Sequence, residues 1–346
     1  MKKKVLVAIS GGVDSAVAAY LLKSEGFDVT GIMLRLFDKS QSTDAEDAKA
    51  LCKKINIPFV YPDYRDEFKK QVIDRFSESY LSGEIPNPCV DCNRYVKIPF
   101  VYDYALKEGF DYIATGHYAR VNYDESRDRY LLLKGADAAK DQSYVLYNLT
   151  QEILSKLLLP VGELSKSQVR EIAASQDFLN ADKKDSQDIC FVSGNFYDYL
   201  KENCGVVLKE GNFVDVSGKV LGRHKGAVCY TRGQRKGLGL ALPKPMYVLS
   251  KDMEKNTVTL GFDEDLYSSD VVARDANFIS CDNIEGEIPV FARVRYNQKE
   301  QPAVAFMNDE GNLCVRFDAP QRAVTAGQSL VLYQNDIVVA GGKIIK

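Results

Sequence analysis

Short apolar runs alternate with helix-period segments through the first half of the chain, and that alternation most limits what it can fold into. Strands separated by amphipathic helices pair in parallel, with the helices covering the sheet. Strands are predicted over Lys4–Ile9, Val29–Leu34, Phe59–Tyr61 and Tyr112–Ala114. Apolar residues recurring three and four apart predict helices over Ser15–Ser24, Asp44–Lys54, Glu67–Leu81 and Val101–Glu108, with two more near Ser143–Leu158 and Ser165–Gln176. After about Asn203 the texture changes. Val206–Val220, Met246–Leu260, Ile288–Tyr296 and Ser329–Val339 are Val-rich or aromatic runs broken by turn residues, the pattern of antiparallel sheet or a small barrel. A further break near Ser268–Asp270 divides the chain into 1–200, 201–267 and 268–346. At 346 residues and 45% hydrophobic composition, two or three domains, each with its own core, are expected.

Composition bounds the function classes. The longest apolar runs, such as Val5–Ile9 and Leu157–Val161, are far short of a membrane span, and Met1–Lys4 lead straight into a strand, so no membrane role and a cytoplasmic location are expected. Eight irregularly spaced cysteines read as reduced thiols, and any disulfide should be catalytic and transient. A formal charge of -3 supplies no global basic field, so a nucleic-acid partner would be held by local Lys and Arg patches.

Three segments carry chemistry. Ser10-Gly11-Gly12-Val13-Asp14-Ser15 falls where the first strand meets the first helix. Glycines there turn backbone N–H groups inward as an anion nest, and the helix that follows points its positive end at the occupant. The plainer alternative is a tight turn with Ser10 as a cap. No Lys follows the glycines, which excludes the Gly-x-x-x-x-Gly-Lys-Ser/Thr loop. The string instead resembles the pyrophosphate loop of N-type ATP pyrophosphatases, which implies adenylation of a substrate with release of pyrophosphate. In the second segment, Pro86 to Arg94, two prolines hold the chain extended before a helix, with Cys89 and Cys92 close to Arg94. Their thiols are expected in the range of about 3.5–7.5 typical of activated cysteines. A zinc half-site, a redox Cys-x-x-Cys pair and a cluster with a third cysteine are the alternatives. The third segment, Lys183 to Phe191, sets Cys190 after two lysines and before a Phe that would keep water from its sulfur.

Ser10–Ser15, Asn87–Asn93, Ala114–Tyr118, Lys140–Tyr144, Asp185–Phe191 and Tyr230–Gly239, in that order and followed by Thr325–Ser329, resemble the tRNA-specific 2-thiouridylases over nearly the whole chain. That resemblance implies a parallel-sheet α/β ATP-pyrophosphatase domain, a small central β-rich domain and a C-terminal β-barrel that binds tRNA. It implies ATP and Mg2+ as cofactors, a tRNA anticodon loop as partner, a persulfide donor protein or cysteine desulfurase, and a monomer. Position by position, Ala8, Ile9, Ser10, Gly11, Gly12, Val13, Asp14 and Ser15 would hold ATP phosphates, with Leu34 and Gly116 beside adenine and ribose. Cys92 matches the nucleophile and Cys190 the persulfide carrier. Asn87, Pro88 and Cys89 match the segment facing the target base, and His117, Lys140, Asp141, Gln142, Arg295, Tyr296 and Gln328 match positions that touch tRNA. Single-strand recognition by an aromatic side chain and cations suits that last group.

The implied reaction adenylates the C2 oxygen of an extruded wobble uridine, after which the Cys190 persulfide supplies sulfur, directly or through Cys92 attack. Two departures stand out. Many relatives carry Asp where this chain has Cys89, and Asp91, the nearest carboxylate, is expected two residues away on an extended segment. Pro99 interrupts the expected helix start and is placed in its first turn. Another ATP pyrophosphatase, such as an amidating ligase or an iron-sulfur tRNA thiolase, and a non-catalytic RNA-binding module are the rival classes.

Overall fold

The computed structural model describes residues 2–37, 41–178, 189–192, 198–199, 201–202 and 207–345. Val5, Leu6 and Val7 are fully buried, Val5 and Val7 in one apolar layer and Leu6 in the other. A strand apolar on both faces belongs inside a parallel sheet covered on both sides. The first seven strands are β1 (Lys4–Ala8), β2 (Asp28–Ile32), β3 (Phe59–Val60), β4 (Tyr112–Ala114), β5 (Ala119–Asp124), β6 (Arg129–Lys134) and β7 (Leu157–Leu158). Five of them form a parallel sheet in the order β3-β2-β1-β4-β7. The chain winds outward from β1 through β3, then returns to place β4 on the other side of β1. The carboxyl ends of β1 and β4 therefore flank a switch point, where open α/β sheets hold ligands.

The helices are α1 (Val13–Ser24), α2 (Gln41–Lys54), α3 (Arg65–Phe68), α4 (Arg75–Leu81), α5 (Pro88–Cys92), α6 (Ile98–Lys107), α7 (Gln151–Leu154) and α8 (Lys166–Ser175). Helix α8 matches its predicted span closely because Ser165 and Gln168 form a reciprocal capping box. The helix expected over Glu67–Leu81 is interrupted by a π-helical stretch at Lys69–Asp74. The one expected over Ser143–Leu158 is not formed. Asp141 accepts from the Ser143 amide at 3.0 Å to start a short 3-10 turn, and Thr150 caps a separate helix through the Ile153 amide at 3.3 Å, so two local starts replace one helix.

The later strands are β8 (Gly211–Val214), β9 (Val220–His224), β10 (Tyr247–Asp252), β11 (Thr257–Gly261), β12 (Tyr267–Phe278), β13 (Ile288–Arg293), β14 (Gln301–Met307), β15 (Leu313–Arg322), β16 (Ser329–Gln334) and β17 (Ile337–Ile344). Strands β8 to β11 make a small sheet around Phe213, Val248, Val258 and Leu260. The last six strands close into a barrel through the pairing of β12 with β17. The first barrel strand, β12, starts at Tyr267, and its register with β15 shifts between Ser268 and Asp270. The hairpin β5-β6, for which no strand was predicted, leaves the parallel sheet and extends the barrel sheet by pairing Leu133 with Ile337.

That hairpin joins two regions expected to have separate cores. Leu6, Ile32, Val90 and Ile98 from the α/β region and Ile279, Val331, Tyr333 and Val338 from the barrel lie in one buried cluster with Leu132. The barrel also docks on the segment before α5. Ile85 donates its amide to the Ala326 carbonyl at 2.9 Å, Gln328 donates to the Ile85 carbonyl at 2.6 Å, and Lys343 and Arg274 pair with Glu84. Gly327 fits there because its φ is +92° and a Cβ would stand 2.8 Å from the Ile85 nitrogen. Gly327→Ala should therefore cost about 1–3 kcal/mol through backbone strain alone. Urea unfolding checks this, and an unchanged midpoint would show that the barrel does not depend on this contact.

Candidate active site

At the carboxyl end of β1 the chain turns through Ser10, Gly11 and Gly12 into α1. The Ser10 amide donates to Ser15 Oγ at 3.1 Å, and Ser15 Oγ donates to the Gly12 carbonyl at 3.1 Å, so the buried Ser15 hydroxyl shapes the loop from within. Gly11 has φ +73°, and a Cβ on it would meet the Asp44 carbonyl at 2.9 Å. Gly12 differs: its φ is ordinary, and an added Cβ would meet only Ser10 Oγ, at 3.3 Å. Ile9 and Val13 are buried and Ala8 ends β1, so these three contribute backbone and packing. Leu34 is buried two residues beyond β2. Asp14 is held by Lys166 at 2.8 and 2.9 Å and by the Tyr118 hydroxyl at 2.6 Å.

The other side of the switch point is the segment Thr115–Tyr118, directly after β4. Gly116 lies against the loop so closely that a Cβ would sit 2.6 Å from the Ser15 nitrogen. His117 is buried, with Nδ1 2.7 Å from Thr115 Oγ1 and Nε2 3.3 Å from Lys97 Nζ. Burial and the Lys97 charge hold its pKa well below the ordinary histidine range, so the ring is neutral, donating from Nδ1 and accepting at Nε2. Tyr118 donates its amide to the Gln142 side chain at 3.0 Å and its hydroxyl to Asp14.

Lys97 comes from the helical rod that carries the cysteines. Asn87 is extended, as a residue before proline must be, and its side chain caps α5 by accepting from the Cys89 amide at 3.1 Å. Pro88 stands in the first turn and is buried. Cys89 and Cys92 are three apart in this helix and so share a face. Asp91 is helical rather than extended, which corrects its expected placement. With Asn87, Val90 and Arg94 it lines a cavity of about 350 Å³ between this helix, α4 and the barrel. The π-helical turn Asn93–Lys97 follows, and Pro99 starts α6. Proline cannot donate to the carbonyl four residues back and collides with it in a regular helix, and the wider turn before it relieves that conflict.

The expected depressed thiols are not found. Burial pushes Cys92 and Cys89 up, and it pushes Cys190 up to about 12, with the charges of Cys92 and Cys89 adding to the shift. Cys89 and Cys190 are nevertheless exposed, and water on their open sides works against that rise. Among the described residues the opposing cation at all three is Lys97, whose own amide also hydrogen-bonds the Cys92 sulfur. Arg94, expected to serve here, lies over the Tyr95 ring at 5.1 Å on the cavity side. Lys97 was missed because its alignment with Cys92 depends on the π-helical turn, which a period of 3.6 does not reveal. Phe191 anchors the Cys190 segment against Phe68 at 5.7 Å and Phe76 at 5.5 Å, while Lys183, Lys184 and Asp185–Asp188 lie outside the described residues.

The residues matched to tRNA contacts divide. Asp141 is buried and accepts from Ser143 and Gly135 and pairs with Arg293 at 3.3 Å. Arg295 donates to the Ala323 carbonyl, and burial and the cations of Arg322 and Arg232 lower its pKa. Gln142, Gln328 and His117 also bond inside the protein. All five bond within the protein, Asp141 and His117 buried and Gln142, Arg295 and Gln328 half-buried. Lys140 is half-buried, and Tyr296 is exposed and packed on Tyr144 at 5.7 Å, its phenol pushed up by burial first and then by the nearby charges of Asp141 and Cys89.

Three family models cover the chain, described as a tRNA methyl transferase HUP domain over residues 3–194, a tRNA methyl transferase PRC-barrel domain over 197–262 and an aminomethyltransferase β-barrel domain over 268–344. A tRNA-specific 2-thiouridylase MnmA of Acetivibrio thermocellus is 47% identical over 99% of this chain and 99% of its own length. Its counterpart in Clostridioides difficile is 46% identical over 100% and 99%. The chain belongs to the tRNA-specific 2-thiouridylase family. A solved 4-thiouridine synthetase–RNA complex with bound ATP is 16% identical, with a TM-score of 0.39, over 54% of this chain and 44% of that one.

In this 2-thiouridylase, Lys97→Met should raise the pH midpoint for alkylation of Cys92 by about one unit, since a nearby cation favours the thiolate. At a pH below the midpoint the alkylation rate then falls about tenfold, and Lys97→Arg should restore most of it. An unmoved midpoint would remove Lys97 from the thiol environment.

Proposed function

We propose that this chain replaces the C2 oxygen of the wobble uridine of tRNA with sulfur, using ATP to activate that oxygen and a protein persulfide as the sulfur source. The observation that carries the reading is the Thr115–Tyr118 segment, which touches the Ser10–Ser15 loop through Gly116 and Tyr118 and the thiol helix through His117. A nucleotide-activated oxygen and a sulfur nucleophile must meet at one atom, and a shared strut holds the two half-sites in register. Full-length similarity to relatives named for this activity supports the same conclusion.

In this reading Ala8 to Ser15 receive the phosphates, Leu34 and Gly116 border adenine and ribose, and the base enters beside Asn87, Pro88 and Cys89. Magnesium arrives with ATP as part of the substrate. Among the described residues no three of His, Cys, Asp or Glu stand together to hold a metal, and the loop's Asp14 already binds Lys166 and Tyr118, so phosphates and water supply most of its ligands. Attack of the C2 oxygen on the α-phosphorus expels pyrophosphate. Cys190 carries the persulfide brought by a donor protein or cysteine desulfurase, and Cys92 releases or directs its outer sulfur to C2, with AMP leaving. Tyr296 and Lys140 meet the anticodon loop, and His117, Asp141, Gln142, Arg295 and Gln328 shape the surface that receives it. The enzyme works as a cytoplasmic monomer.

Two measurements test this assignment. Gly12→Val should fold, because an added Cβ meets only a movable Ser10 hydroxyl, yet block close approach of phosphate to the loop. Pyrophosphate release in the presence of tRNA should fall at least a hundredfold, and release at the normal rate would show that ATP binds elsewhere. Supplied with a desulfurase, Cys190→Ser should lose protein-bound persulfide while still adenylating tRNA, whereas Cys92→Ser should keep it and stall. Persulfide on Cys89 in place of Cys190 would reverse the assigned roles.

A further inference from the structure

Sulfur transfer by the route just proposed leaves an oxidised enzyme. When the Cys92 thiolate attacks the inner sulfur of the Cys190 persulfide, hydrosulfide leaves and a Cys92–Cys190 disulfide forms. Until that bond is broken, Cys190 cannot accept another sulfur. Cys92 is only partly accessible and packs against the buried cluster of Phe68, Val72 and Val96, a poor place for an external reductant to reach.

We infer that Cys89 is a resolving cysteine, which attacks the sulfur of Cys92 in that disulfide and frees Cys190 for reloading. The inference rests on the sulfur-transfer reading above. Its geometric support is the helix itself. Residues three apart in an α-helix have Cα atoms about 5 Å apart, inside the window of roughly 4.4–6.8 Å that a disulfide spans. The Asn87 cap and the buried Pro88 start α5 one residue before Cys89, so Cys89 and Cys92 are both helical and share one face. Had this segment been extended, residues three apart would lie about 10 Å from each other and point to opposite faces.

Accessibility supports the same order of events. Cys89 is exposed, so a Cys89–Cys92 disulfide presents its outer sulfur to a protein dithiol, while Cys190 on its separate Phe191-anchored turn is released. All three thiols lie within reach of one another's charge and of the Lys97 ammonium, which can hold whichever sulfur is anionic at each stage. The exchange balances. The Cys89 thiolate bonds to the Cys92 sulfur as the Cys190 thiolate leaves, and no net oxidation occurs. Two electrons from a dithiol of the thioredoxin class then return Cys89 and Cys92 to thiols.

The test is a single round with persulfide-loaded enzyme, ATP and tRNA in the absence of reductant, followed by acid quenching, alkylation and peptide mapping under non-reducing conditions. Thiolated tRNA is counted in the same sample. The expected wild-type result is a Cys89–Cys92 disulfide with alkylated Cys190. Cys89→Ser and Cys89→Ala should instead trap the Cys92–Cys190 disulfide, with Cys190 closed to alkylation until a small thiol is added. Thiolated tRNA accompanied by a Cys92–Cys190 disulfide, or by no disulfide, in the wild type overturns the resolving role alone. A persulfide-loaded enzyme that makes no thiolated tRNA overturns the sulfur-transfer reading, and this inference with it.

Discussion

The contact on which the site depends is the close approach of the segment after β4 to the first turn of α1. Gly116 lies against the backbone of Asp14 and Ser15, and Tyr118 reaches back to the Asp14 carboxylate. That approach is possible because β1 and β4 are parallel neighbours whose carboxyl ends finish side by side. From the same four residues His117 extends toward Lys97. A disturbance on either side of this segment is therefore transmitted as a shift of rigid, packed backbone.

The thiols show how burial and charge compete at such a site. Packing alone makes each cysteine a weaker acid than it is in water, which protects it from casual oxidation and withholds it from reaction. Among the described residues the Lys97 ammonium opposes that at all three sulfurs, and the neighbouring imidazole is held neutral so that it accepts from that ammonium instead of repelling it. The resulting thiol environment responds to what else carries charge in the pocket. A base, a phosphate or a persulfide entering it changes the balance directly.

The barrel is part of the same arrangement. It shares a buried cluster with the α/β region, receives the hairpin β5-β6 on its sheet, and grips the chain at Glu84 and Ile85 just before the cysteine helix. The cysteine helix is held at both ends, by the barrel before α5 and by α6 after it, and gains orientation from that.

What the sequence by itself determined is whatever depends on neighbours along the chain. The alternation of apolar runs and helix-period segments specified the parallel sheet, the glycine pair before Asp14 specified the loop, and the spacing of Cys89 and Cys92 marked the thiol pair. The turn chemistry of Asp141 and Thr150 was also present, but the apolar run around it outweighed it and suggested one helix too many. Only the tertiary structure decided that Lys97 faces the thiols, because nearness in sequence favours Arg94 and a π-helical turn brings Lys97 round instead. It also decided that burial outweighs charge at the cysteines, that Asp141 and Arg295 are turned inward, and that the first and last regions share a core. Each of those outcomes depends on residues far apart in sequence, such as Asp141 with Arg293 or Lys97 with His117, meeting at contact distance. Local pattern carries no record of such meetings, since periodicity reports which face is buried and not what it is buried against.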